Sequence, residues 1–261
     1  MKVFAILVPL CAILTGVGGF LLRNREIANV FDPVTGLPGR GAITTAALIA
    51  FTAANLLAII VFAAYTTAKS KSPKGFENTF GADPVFYPIL FVIIGIVWLA
   101  GTFWFFNSLR SAGELPLIYI YFSGLSALAA ICATFFAIEI FQDSKRKASY
   151  AFSLVPTVFL CFWLILLYMQ NATNPVLISY VYQVLAIASA ALAFYFTSGF
   201  IYNKSAPGRA IASYYCSIYF SAITLADDIH IGQKLIFVAI IAASVVHLSV
   251  MLRHLNRKNP L

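Results

Sequence analysis

The chain has 261 residues, 61% of them hydrophobic and 10% charged, with a mean hydropathy of +0.91. A water-facing domain of this length carries roughly 25% charged residues, so composition excludes an ordinary soluble fold and points to lipid as the main solvent. The net charge of +8 falls mainly in short connections between apolar runs. There it sets orientation and meets anionic headgroups, and no nucleic-acid-binding pattern accompanies it.

Runs of about 17–25 apolar residues bounded by charge or turn residues mark membrane-spanning helices. In chain order they are predicted at Val3–Leu22, Ala42–Thr67, Val85–Phe106, Leu117–Phe141, Tyr150–Met169, Val176–Tyr202, Ala210–Ala226 and Leu235–Leu252. The expected fold is all-α: a polytopic bundle of about eight transmembrane helices, forming one domain over residues 1–261.

Met1-Lys2 before the first run also fits a signal peptide. However, no A-x-A site follows the run, and Leu10 precedes Cys11 where a lipoprotein signal needs a small residue. An uncleaved helix is expected. The longest connections, Arg23–Gly41 and Ala68–Pro84, are too short to be domains. The first contains a stretch from Asp32 to Gly39 that reads as successive tight turns.

Of the 17 basic residues, Lys2, Lys69, Lys71, Lys74, Lys145, Arg146, Lys147, Lys204, Arg209, Arg253, Arg257 and Lys258 share one side of this topology. Arg23, Arg25, Arg40, Arg110 and Lys234 share the other. The asymmetry predicts both termini in the cytoplasm, and the plasma (inner) membrane is the expected location.

Polar residues inside spans are the candidate functional groups, because each must find a partner. The second span carries Thr45, Thr52 and Asn55, with Asn55 near mid-membrane. The fourth ends near Glu139. The sixth places Ser179, Gln183, Ala186, Ala190, Ala193 and Thr197 at helical spacing. In the seventh, Ser213, Ser217, Ser221, Thr224 and Asp228 recur at intervals of four, four, three and four, which is one face of a helix. Together these faces predict a polar seam between the second, sixth and seventh helices, with Asn55, Gln183, Ser213, Ser217, Ser221, Thr224 and Asp228 as ligand-binding residues.

His247 in the eighth span lies near the same surface as Glu139, and the two are a candidate proton-linked pair or polar floor. Asp227, Asp228 and His230 follow the seventh span. The expectation is that the helix stops near Leu225 and that both acids are solvated loop residues. If not, Arg23, Arg25, Arg110 and Lys234 are the cations available to them.

As metal ligands, Asp227, Asp228 and His230 lack a second ligand cluster. Cys11, Cys132, Cys161 and Cys216 lie in apolar stretches at no metal or redox spacing and read as small packing residues. No metal and no cofactor is expected, and no catalytic residue is assigned.

A polar stripe without a soluble domain implies binding or movement of a small, mostly apolar molecule or lipid, as a permease subunit or ligand sensor. A membrane enzyme acting on lipids, using Asp227, Asp228 and His230 or Glu139 and His247, is one alternative. A structural or assembly subunit that packs against a membrane-protein partner is another. Membrane lipids are the expected surroundings in every case.

Overall fold

The computed structural model describes residues 3–31, 43–69, 79–80, 86–113, 116–141, 151–173, 176–202, 204 and 206–255. Among them are eight α-helices: α1 (Phe4–Val30), α2 (Ile43–Lys69), α3 (Phe86–Ser111), α4 (Leu117–Phe141), α5 (Val155–Asn171), α6 (Val181–Ile201), α7 (Pro207–Thr224) and α8 (Ile231–His254). A short 3-10 turn, Leu177–Ser179, leads into α6. The turns expected from Asp32 to Gly39 and most of the loop lysines lie outside the described residues.

Local chemistry sets several helix ends. Pro156 and Pro207 stand at the first positions of α5 and α7, where a missing N–H costs nothing. Gly113, at φ 73°, adopts the left-handed conformation that closes α3. His230 caps α8 by accepting a hydrogen bond from the Gly232 N–H at 3.0 Å.

Six helices are long and apolar enough to cross a membrane: α1, α2, α3, α4, α6 and α8. Their outward faces carry large exposed apolar side chains, such as Ile6, Leu14, Ile49, Ile60, Phe103 and Leu192. This is the surface of a membrane-embedded bundle. Two of the eight expected spans differ. Helix α5 is apolar but has 17 residues, and α7 is the polar one. Helix α7 packs against α1, α2, α6 and α8, so its serines and tyrosines meet protein rather than lipid.

Between lipid-facing helices apolar burial supplies little net drive, and association comes from close packing and interhelical hydrogen bonds. Glycines provide the close approaches. A Cβ on Gly19 of α1 would stand 2.7 Å from Ile223 of α7, and one on Gly101 of α3 would stand 2.7 Å from the Gly232 carbonyl of α8. The space enclosed by α3, α4, α5, α6 and α8 is filled by rings, with Trp98, Phe122, Phe159, Trp163 and Phe237 in tilted or edge contacts. At its centre the Trp98 indole donates to the Ser126 hydroxyl at 3.1 Å, so no bare N–H is left in hydrocarbon.

Candidate functional site

The predicted seam is rearranged. Helix α7 does meet α2, but through tyrosines: Tyr219 and Thr52 share a hydrogen bond of 2.9 Å, and Tyr215 donates to Asn55 Oδ1 at 3.3 Å. The serine stripe lies elsewhere. Ser217 pairs with Ser244 of α8 at 3.0 Å, while Ser213 bonds back to the Arg209 carbonyl at 2.9 Å. Ser221 and Thr224 are buried, and among the described residues their hydroxyls have no partner. Of the stripe, Ser217 is the residue that bonds to α8, while Gln183 lies beside Asp227.

The strongest electrostatic feature is one that the span boundaries had hidden. Helix α1 continues through Val30, so Arg23 and Glu26 are helical residues one turn apart rather than members of a loop. The Arg23 guanidinium donates to Glu26 Oε2 at 2.7 Å and to Asp227 Oδ1 at 2.8 Å. It also donates to the carbonyls of Ile178 and Ser179, at 3.1 and 3.3 Å. Its plane lies over the Tyr182 ring, 5.1 Å from the centroid, a favourable cation–π position.

Arg23, Glu26 and Asp227 are 2%, 0% and 3% exposed. Helix α7 ends at Thr224 as expected, but Asp227 is not solvated: it is a buried ion-pair partner, and only Asp228 is exposed. The reason is the turn after α7, which points the first acid at α1 and the second outward. Burial pushes the Asp227 carboxyl above its ordinary pKa, against the opposing pull of Arg23. Gln183 lies beside that carboxylate and favours its charged form.

Gln183 also lines a cleft of about 300 Å³ between α5, the start of α6 and the start of α8. The volume is at the lower end of those that hold small molecules. The other polar lining residues are Gln170 and Asn171 from the end of α5, Asp228 and His230 from the α7–α8 turn, and Gln233 from α8. Trp163, Leu167 and Phe237 also line it, and the Trp163 and Phe237 rings touch at 4.8 Å between centroids. His230 Nδ1 is committed to capping α8, so a neutral ring carries its proton on Nε2. Burial holds this histidine below its ordinary pKa, which keeps it neutral at pH 7.

His247 lies roughly 24 Å along α8 from this mouth. It is 3% exposed and enclosed by the rings of Phe80, Tyr87, Phe91, Phe194 and Tyr214. Among the described residues neither ring nitrogen has a hydrogen-bond partner. The side chain of its expected partner Glu139 lies outside the described residues. The adjoining void, bounded by Phe91, Phe136, Thr197 and His247 among others, measures about 10 Å³, roughly the room of one water molecule. It cannot take an organic ligand.

Four cysteines are free thiols, and among the described residues no group of three or more His, Cys, Asp or Glu is placed to hold a metal. No protein-family model, curated protein or solved structure matches this chain. The functional reading rests on the geometry above.

Proposed function

We propose that the chain is a multi-pass membrane protein that binds a lipid or small amphiphile through an uncharged, hydroxyl-rich head. The head sits in the cleft between α5, α6 and α8, and the apolar body lies along the outer face of α5, where Ile165, Tyr168 and Met169 are exposed. The basic-residue asymmetry puts this mouth on the outer side of the plasma (inner) membrane.

The observation that supports this reading is the cleft's lining. Gln170, Asn171, Gln183 and Gln233 each bring a carbonyl acceptor and an NH₂ donor. Gln170 spends one N–H on the Tyr119 hydroxyl and Asn171 one on the Leu167 carbonyl, both at 2.9 Å, which leaves each a second N–H. Hydroxyl groups both donate and accept, so they match these carboxamides, whereas an ammonium accepts no hydrogen bond from them. Among the described residues no lysine or arginine lines the cleft, and Asp228 does. A phosphate head would be repelled.

The test is thermal unfolding in phosphatidylcholine nanodiscs, since sugar-headed detergents would compete. Doping with a monoglycosyl diacylglycerol should stabilise the protein by about 2.7 kcal/mol at a hundredfold excess over Kd, and phosphatidylglycerol should not. Gln233→Leu should weaken the affinity about tenfold, the worth of one well-placed hydrogen bond, and so about halve the stabilisation at the same lipid content, while leaving the unliganded transition in place. Equal responses to both lipids would refute the assignment.

Asp228 and His230 line the same cleft, which favours a lipid-modifying enzyme as the second reading. Recovery of chemically altered lipid after incubation would select it.

A further inference from the structure

We propose that the Arg23–Glu26–Asp227 cluster is a proton-binding site, which holds one proton on its two carboxyl groups while the bundle is folded. Three observations support it, independently of what the cleft binds.

The first is charge. One guanidinium faces two carboxylates, and among the described residues Arg23 is the cation that bonds either of them. Fully ionised, the cluster would carry a net negative charge in a region closed to water, which is strongly unfavourable. A proton taken from solution cancels it, with no bond broken elsewhere.

The second is hydrogen bonding. Each carboxyl group spends one oxygen on Arg23; the others, Glu26 Oε1 and Asp227 Oδ2, are buried and among the described residues have no hydrogen-bond partner, with Gln183 lying beside Asp227. A proton placed between two buried carboxyl groups that share one cation removes the unbalanced charge and supplies a donor that these oxygens lack. Burial and the neighbouring Glu26 charge both act on Asp227 in the direction of protonation.

The third is position. Arg23 ties the end of α1 to the α7–α8 turn and to the carbonyls of Ile178 and Ser179 before α6. The groups around it are Tyr182 and Gln183 on α6, with Asp228 and His230 on the turn itself; Arg25 on α1 is exposed. Gln183 belongs both to this cluster's surroundings and to the cleft wall, so proton occupancy is linked to the cleft.

The sign follows from linkage. A carboxyl group with a raised pKa in the folded state binds its proton more tightly than in the unfolded chain. It stabilises the protein at low pH, and that contribution is lost as pH rises through the folded pKa.

The experiment measures thermal unfolding of the full chain in nanodiscs from about pH 4 to about pH 8, for wild type and Glu26→Gln, in sodium and in choline buffers. The expected result is a wild-type transition that falls with rising pH relative to that of Glu26→Gln, alike in both buffers. In Glu26→Gln, Arg23 and Asp227 form a neutral pair and this downward contribution is lost, while the opposite contribution of His230, held neutral by burial, is common to both proteins.

The same slope in wild type and variant overturns the proposal. A slope present only in choline assigns the site to a metal cation instead. Should Glu26→Gln fail to fold, wild-type infrared spectra with labelled Asp and Glu decide the matter: a protonated-carboxyl band at neutral pH supports the site, and its absence overturns it.

Discussion

Arg23→Ala is expected to destabilise the protein by about 3–5 kcal/mol, the usual cost of leaving buried charge uncompensated. The carboxyl pair would then carry its negative charge without a counter-ion, and the carbonyls of Ile178 and Ser179 would lose their donor. Since α1, α6 and the α7–α8 turn all meet at this side chain, the variant should yield little folded protein at 37 °C.

The matching triple variant, Arg23→Met with Glu26→Leu and Asp227→Leu, removes all three charges at similar volume. It should recover most of the lost stability, because well-packed apolar groups often equal a buried ion cluster. Yield and thermal unfolding of the two variants check both halves. A stable Arg23→Ala protein would mean that the cluster is hydrated.

The second large effect is expected at the glycine contact between α3 and α8. A Cβ added at Gly101 would lie 2.7 Å from the Gly232 carbonyl oxygen and 3.2 Å from the Ile236 backbone nitrogen. Backbone of a packed helix cannot rotate aside, so the helices must separate. Gly101→Ala should cost about 3 kcal/mol, the upper end for an added methyl in a packed core.

Gly19→Ala is the control. Its new Cβ would meet the side-chain atoms of Ile223 at 2.7 and 2.8 Å, and these can change rotamer, so the loss should be smaller. A reversed order in thermal unfolding would show that α3 and α8 are not in this register. Because Gly232 also binds His230, Gly101→Ala should loosen the cleft as well.

The architecture was legible because a membrane fixes helix length: about 20 apolar residues span the hydrocarbon, and α4 begins and ends where the sequence indicated. The end of α1 was not legible. Arg23, Asn24, Arg25 and Glu26 look like a loop in any hydropathy window, and only Asp227, two hundred residues later, lets two of them be buried. The i,i+3 spacing of Arg23 and Glu26 is the local signal that could have extended the helix.

The seventh span shows a different limit. A period of 3.6 says which residues share a face but not which helix covers it: the sequence sets the stripe in a seam with the second and sixth helices, and α7 packs against both, but Ser217 meets Ser244 of α8. Beyond Thr224 the helix ends and periodicity carries no information, which is why Asp228 was grouped with the stripe while Asp227 is the buried acid. The cleft left no trace in spacing. Its carboxamides come from the end of α5, the start of α6 and the start of α8, and only the fold gathers them.

The most direct measurement is photo-crosslinking in native membranes, with a photoreactive residue in place of Gln170 at the cleft and, as control, in place of Ile60 on the exposed face of α2. Mass spectrometry of the captured molecule should identify an uncharged lipid with a hydroxyl-rich head at the first position and bulk phospholipid at the second. The same phospholipid mixture at both positions would contradict a selective cleft between α5, α6 and α8.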